Sequence, residues 1–496
     1  MKQILARIRD HATRSPQRIA IIDHTAQLSY GELARLIEQV AADLTTTRIG
    51  LLADNGIGWA ITDLAAAAAG SVCVPIPTFF SATQIRHLIT DAGLQQIITD
   101  RPEMLAQLLA QSVHSHISVQ GKTLSVFELQ PECVPSLPLD TCKITYTSGT
   151  TGSPKGVCLS GTVIEQVALS LGQALHAGEQ DRSLSLLPLS TLLENLGGLY
   201  APLSFGAQAA LPRLEHCGFQ GSSRVDIPQL VAAIHHYEPT TTILVPQLLK
   251  ALIEALTAGA PKPSSLRFVA VGGAPCGRAL IERAHCLGLP VHEGYGLSEA
   301  ASVVSLNRPG ANLPGSVGEP LPHRQVEIAE DGEILIHGAL FSGYLGEGHP
   351  PPTTWHTGDL GYLDSHGRLY VTGRKKTAFA TAFGRNVAPE WVESELAASP
   401  FVMQSAVFGE GQHLNAALLV PHPAASADQL RLAIEQANSR LPDYARIGAW
   451  RVLGTAFSTD NRLLHASGAL DRPAIAKRYS DVLEQLFAGD TTHAHV

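Results

Sequence analysis

Between Ile144 and Val157 the chain reads Ile144-Thr145-Tyr146-Thr147-Ser148-Gly149-Thr150-Thr151-Gly152-Ser153-Pro154-Lys155-Gly156-Val157. An apolar strand runs into a loop dense in glycine and hydroxyl side chains that holds a single lysine. Such a loop lets backbone N–H groups and hydroxyls come close to phosphate oxygens, and the lysine adds a movable positive charge. It is not a Walker A loop, because Lys155 follows Pro154 and precedes Gly156 rather than Ser or Thr. A Gly/Ser surface loop is the ordinary alternative, and this particular run of residues argues against it. Downstream, charged side chains stand in three glycine-bearing segments. These are Glu299 in Gly294-Tyr295-Gly296-Leu297-Ser298-Glu299, Asp359 in Trp355-His356-Thr357-Gly358-Asp359, and Arg374 in Gly373-Arg374-Lys375-Lys376. A carboxylate is the hard oxygen ligand that Mg²⁺ prefers, an Asp accepts from two hydroxyls, and an Arg offers several donors in fixed geometry. Alone, Asp359 reads equally as a turn residue after Gly358, and Arg374 as a solvated charge.

In that order these segments resemble the motifs of the adenylate-forming superfamily: acyl-CoA synthetases, peptide-synthetase adenylation domains and luciferases. The resemblance spans nearly the whole chain and implies an enzyme that uses ATP and Mg²⁺ to activate a carboxylic acid. It implies that Thr147, Ser148, Gly149, Thr150, Thr151, Gly152 and Lys155 hold the phosphates, and that Gly273, Ala274, Tyr295, Gly296 and Ser298 complete the nucleotide site. The Tyr295 ring would stack on adenine, and Asp359 and Arg374 would take the ribose hydroxyls. Glu299, with Thr150, would bind Mg²⁺ and serve catalysis. Lys376 would be the pivot of a mobile C-terminal domain, and Gly384 and Arg385 would lie at the thiol-acceptor tunnel.

Two regions resemble long-chain acyl-CoA synthetases in particular: Leu184 to Ser190 with Glu194, and Gly373 through Pro389. Within them the chain departs twice, with Thr191 where His is frequent and Phe383 at the first of two frequent glycines. The largest departure lies in Phe457 to Arg472, which resembles the last family motif. There the usual lysine, which contacts the carboxylate and α-phosphate, aligns with Ala469; the next lysine, Lys477, falls in an apparent helix. Losing one such charge costs about 2–4 kcal/mol of transition-state stabilisation.

The elements that must position these residues alternate. Tyr30, Leu33, Leu36, Ile37 and Val40 follow helical spacing behind Ser29 as N-cap. Ile49–Leu52, Ser71–Pro75, Gln96–Ile98, Lys143–Tyr146, Thr242–Val245 and Phe268–Val271 read as short buried strands with helices between them. The expected fold is α/β: a large N-terminal domain, residues 1–372, with mainly parallel sheets flanked by helices plus a β-rich part beyond Pro309. A small mobile α+β domain, 373–496, follows, with elements at Glu390–Leu396, Ser405–Phe408, Ala416–Val420 and Ala427–Arg440.

The chain has 496 residues, 45% hydrophobic and 16% charged, which suits at least two packed cores and excludes general disorder. A net charge of −9 without basic runs argues against nucleic acid as a partner. The seven cysteines form no CxxC pair and suit free thiols in a reducing compartment, and the 21 histidines show no metal-ligand spacing. Met1 to Asp10 reads as an amphipathic helix rather than a signal peptide, and Leu64–Pro77 is too short and weakly apolar to span a bilayer. The expectation is a cytoplasmic protein without a transmembrane segment, with peripheral membrane contact left open. Its expected reaction forms acyl-AMP and pyrophosphate from a carboxylic acid, a fatty acid foremost, then passes the acyl group to CoA. Two alternatives stand beside it: transfer to a carrier-protein phosphopantetheine or an amine, and a nucleotide-binding protein that lost catalysis along with the lysine.

Overall fold

The structure, a computed structural model, describes residues 1–44, 46–147, 154–221, 224–348, 350–383, 385–465 and 468–488. Two large sheets organise the N-terminal domain. One has nine strands, with Val291–Tyr295, Phe268–Val271, Thr241–Leu244, Arg182–Leu184, Gln208–Ala210 and Ile19–Ile22 running parallel through its centre. The second has eight, with Thr141–Thr147, Val72–Pro75, Arg48–Leu52 and Gln96–Thr99 parallel at its centre. The expected strands are therefore present, but both sheets are mixed, because antiparallel strands such as Ser305–Leu306 and Lys155–Ser160 complete their flanks.

Burial explains the arrangement. The helix Ile57–Ala69 is buried on every side from Ile57 to Ala66 and packs on the central strands, as a helix apolar all round must. Its one carboxylate, Asp63, meets the buried Lys143 at 2.6 Å. Lys143 Nζ also donates to Asn195 Oδ1 at 2.6 Å and to the Tyr200 hydroxyl at 3.0 Å, and that hydroxyl donates to Asp63 at 2.5 Å. A buried charge is tolerated only with such complete partnering. Ser29 caps Tyr30–Asp43 as expected, and Glu32 closes a capping box.

Beyond Pro309 lies a four-stranded antiparallel sheet, Arg324–Ile328, Glu333–Gly338, Thr354–Leu363 and Leu369–Arg374. The smaller C-terminal domain is built on Val402–Phe408, Asn415–Pro421 and Ile447–Val452, covered by helices Pro389–Ala397 and Ala427–Arg440. The C-terminal end of Pro389–Ala397 is received by two basic side chains of the large domain. Arg283 donates to the Ala398 carbonyl at 3.0 Å, and Lys250 to the Ser399 and Val402 carbonyls at 3.2 and 2.8 Å. Arg283 thus satisfies the cap carbonyl that the helix leaves open, and Lys250 ties down the segment that follows it. No helix among the described residues is long and apolar enough to cross a membrane.

Candidate active site

Asp359 and Arg374 are fifteen positions apart, and antiparallel register sets them directly opposite each other on Thr354–Leu363 and Leu369–Arg374. The Asp359 side chain is 4% exposed, and its Oδ1 lies 2.8 Å from Arg374 Nε. Its Oδ2 accepts from the Tyr295 hydroxyl at 2.5 Å. Burial pushes the Asp359 carboxyl above the usual range, and the Arg374 charge and the Tyr295 hydrogen bond draw it back. Thr357 holds the bend before it, donating to the Ile334 carbonyl at 2.7 Å and accepting from the Asp359 amide at 3.0 Å. Tyr295 ends a parallel strand of the nine-stranded sheet, so three segments from two sheets converge on one carboxylate.

After Tyr295 the backbone turns tightly. A Cβ on Gly296 would stand 1.5 Å from the Ser302 carbonyl oxygen, so no other residue fits there. Ala301 and Ser302 adopt φ of +46° and +84°, a left-handed pair that costs non-glycine residues energy. The buried Arg324 guanidinium donates to the Ala300 carbonyl and holds the turn. Glu299, half-buried on the turn, accepts at Oε1 from the Tyr344 hydroxyl at 2.7 Å. The ammonium of Lys155 lies 5.0 Å from the centre of the Tyr344 ring. On the other side, Gly273 takes φ +81° in an exposed loop with Ala274. Glu293 braces that loop by accepting from the Cys276 amide at 3.3 Å, and burial pushes its carboxyl up to about 8.

Gly272, Gly273, Tyr295, Gly296 and Ser298 also border a cavity of about 220 Å³ that runs between Leu171, Leu192, Ile243, Phe268 and Val303. Among the described residues no charged side chain lines it. One wall is the helical run Leu192–Glu194, Asn195–Tyr200 and Ala201–Ser204, whose middle widens into π geometry. Such widenings recur at functional sites. Gly197 faces the cavity from it, and Glu194 is turned away and fully buried. Among the described residues neither Glu194 oxygen makes a hydrogen bond of normal geometry, although the Ser185 hydroxyl and the Leu187 backbone lie beside it, and burial pushes the carboxyl up to about 8.

The structure thus brings together Tyr295, Gly296, Ser298, Glu299, Asp359 and Arg374, with Gly273 across the cavity mouth and Lys155 linked to Glu299 through Tyr344. Thr147 closes the strand Thr141–Thr147, whereas Ser148, Gly149, Thr150, Thr151, Gly152 and Gly384 lie outside the described residues. Arg385 is exposed, its amide 3.3 Å from the Thr381 hydroxyl. Lys376 is exposed in the turn after Arg374, and Ala469 is exposed beside the antiparallel bridge between Leu464 and Leu470, where its carbonyl accepts from the His465 amide at 2.8 Å. Sequence reasoning missed Tyr344 and Glu293. Glu293 stands just before the Gly294–Glu299 segment, and its place in an apolar strand was the available signal.

Among the described residues no group of three His, Cys, Asp or Glu side chains could hold a metal unaided. One accessible carboxylate, Glu299, beside an open cleft suits Mg²⁺, which takes few protein ligands and completes its shell with phosphate and water.

The family model described as AMP-binding enzyme matches residues 8–345, and that of the AMP-binding enzyme C-terminal domain matches 378–491. The chain is similar to the long-chain-fatty-acid–CoA ligase FadD15 of Mycobacterium bovis at 25% identity, over 89% of this chain and 88% of that protein. The O-succinylbenzoate coenzyme A synthetase of Bacillus subtilis, solved with ATP and magnesium ion, superposes with a TM-score of 0.71 at 25% identity, covering 94% of this chain and 98% of that one. The anthranilate CoA ligase AuaEII, solved with anthranoyl-AMP, shares the fold with a TM-score of 0.79 at 20% identity, over 96% of both chains. With the main family model matched over more than half its length and the C-terminal model following it, the chain belongs to the AMP-binding enzyme family.

Proposed function

We propose that this protein joins an uncharged-tailed monocarboxylic acid to CoA in two steps through an acyl-AMP. The observation that carries the proposal is a shared wall: Tyr295 and Gly296 border the apolar cavity while the Tyr295 hydroxyl meets Asp359. An acid in the cavity would present its carboxylate where Asp359 and Arg374 receive a ribose. The carboxylate attacks the α-phosphorus of ATP and pyrophosphate leaves; the CoA sulfur then attacks the acyl carbonyl and AMP leaves. Asp359 and Arg374 would orient the ribose, Lys155 would face the phosphates, and Glu299 would hold Mg²⁺, with Thr150 as the second candidate ligand. The bound cation supplies neutralising charge to the phosphates. In-line transfer asks these groups for positioning and charge, with no covalent bond to the enzyme. The relatives described above are CoA ligases, which favours CoA over a carrier protein as acceptor.

The cavity narrows the acid. A dry cavity of about 150 Å³ takes a benzene ring, so about 220 Å³ suits a substituted ring or a medium-length chain. With no cation along its walls among the described residues, the cavity offers no partner there to a second carboxylate, which would be buried unpaired. We place the boundary between the domains at 372/373, with Lys376 as pivot. Lys375 just before it is anchored to Asp331 and Glu333 at 2.5 and 2.9 Å, so rotation would begin beyond it. The test is pyrophosphate release over medium-chain, long-chain, aryl, amino and dicarboxylic acids, with and without CoA. Medium-chain and aryl monocarboxylates should be used best and yield thioesters. Folded protein that releases pyrophosphate with no acid would overturn the reading.

A further inference from the structure

Tyr344 belongs to no segment that the sequence singled out, yet it touches two groups of the candidate site. It lies on the short strand Gly343–Tyr344, which pairs antiparallel with Lys155–Ser160 and sets Tyr344 opposite Val157. That register fixes its height beside the end of the phosphate-loop segment. Its hydroxyl donates to Glu299 Oε1 at 2.7 Å, and Lys155 Nζ stands 5.0 Å from its ring centre, within cation–π range. Among the described residues no other group hydrogen-bonds the Glu299 carboxylate. Three residues earlier, the Phe341 amide donates to the Glu299 main-chain carbonyl at 2.8 Å, so a single segment grips Glu299 by backbone and side chain. The ring is itself held edge-on by Phe341 at 5.0 Å and Trp355 at 6.1 Å, which leaves it little freedom.

We propose that Tyr344 is a positioning residue that aims the Glu299 carboxylate at the divalent cation and holds Lys155 over the phosphates. The proposal rests on the adenylation reading above. A phenol donating to one carboxylate oxygen uses one lone pair, fixes the rotation of the carboxylate, and leaves the second oxygen free for the metal. The aromatic face meanwhile gives the ammonium a partner that cannot neutralise it, so its charge stays available to an anion. Glu347, 4.0 Å from Lys155 and about half exposed, competes only weakly.

Two variants separate the roles. Tyr344→Phe keeps the ring and removes the hydroxyl; Tyr344→Leu removes both. Mn²⁺ binding in the presence of α,β-methylene-ATP is followed by electron paramagnetic resonance, metal-free binding of the same nucleotide by calorimetry, and folding by thermal melting. Tyr344→Phe should loosen Mn²⁺ about tenfold, the usual effect of losing a partner of a metal ligand, and leave metal-free nucleotide binding unchanged. Raising Mg²⁺ should recover its turnover, which a purely structural defect would not allow. Tyr344→Leu should in addition weaken metal-free nucleotide binding by roughly two- to fivefold, the size of an exposed cation–π contact. Wild-type Mn²⁺ affinity in Tyr344→Phe overturns the role toward Glu299, and equal metal-free affinity in the two variants overturns the role toward Lys155. If Tyr344→Leu does not fold, the Tyr344→Phe measurements still decide the first. Wild-type protein that binds no Mn²⁺–nucleotide would instead refute the adenylation reading.

Discussion

Asp359→Asn keeps the shape of the side chain and removes its charge, which separates what the carboxylate does for the fold from what it does for a nucleotide. For the fold the change is small. Arg374 is 58% exposed, so its ion pair with Asp359 is screened and worth no more than about 1 kcal/mol. Burial opposes the charge on Asp359, so Asn also relieves a desolvation cost. Binding loses more. Two ribose hydroxyls donating to a carboxylate make charge-assisted bonds of about 1.5–3 kcal/mol each, against about 0.5–1.5 for neutral ones. The difference, about 2–3 kcal/mol over the two bonds, is roughly a 30- to 150-fold loss of AMP affinity. Calorimetric titration should show this loss with melting temperature nearly unchanged. 3′-Deoxy-AMP supplies the internal control: its deficit against AMP should be roughly tenfold or more in wild type and shrink in the variant. Unchanged AMP affinity in Asp359→Asn, or a 3′-deoxy deficit equal in both proteins, would refute the assignment.

Gly296→Ala, whose Cβ would stand 1.5 Å from the Ser302 carbonyl, should lose at least about 3 kcal/mol in urea denaturation, whereas Gly310→Ala, with open space around it, should lose only about 1. A similar cost for both would mean that the turn after Tyr295 yields easily. Ala469→Lys should raise the adenylation rate tenfold or more, within the 2–4 kcal/mol that one such charge is worth, and leave thioester formation from preformed acyl-AMP unchanged. Fast wild-type adenylation that Lys477→Ala abolishes would show that the lysine lies elsewhere. Glu194 is raised to about 8 from an ordinary 4.5, so the folded chain keeps a proton that the unfolded chain releases, and its contribution to stability falls as pH rises from about 4.5 to 8. Glu194→Gln should therefore gain on wild type between pH 5 and pH 8, by on the order of 1.4 kcal/mol per pH unit at most; parallel urea-denaturation profiles would count against a protonated Glu194.

The central strands were legible because parallel strands buried on both faces are continuous apolar runs, and Phe268–Val271 was read at its observed bounds. The helix Ala427–Arg440 was likewise read at its observed bounds. Flanking strands of two residues, such as Ser305–Leu306, carry no period to read, so the mixed character of the sheets stayed hidden. The helix Leu192–Ser204 widens at Asn195–Tyr200 around contacts to Asp63 and Lys143, which no local pattern announces. Motif order found Asp359 and Arg374, and register explains their meeting. Tyr344 was invisible because its partner Glu299 is 45 positions away and neither neighbourhood encodes the distance. The cavity is assembled from residues between Leu171 and Leu306, and its size emerged only with the packing.

The buried set of Asp63, Lys143, Asn195 and Tyr200 also bears on how this gene can be recombined. A single exchange at Lys143 or Asp63 strands the opposite charge in the interior, at a cost of about 3–5 kcal/mol, whereas replacing the ion pair together with apolar side chains of like volume can be nearly neutral. The four positions are thus one heritable unit spread over 138 residues of chain, Asp63 to Tyr200 inclusive. Chimaeras with a relative that lacks the set should fold when both crossovers fall outside that span and fail when one falls within it. A shuffling library scored for soluble protein would map that boundary directly.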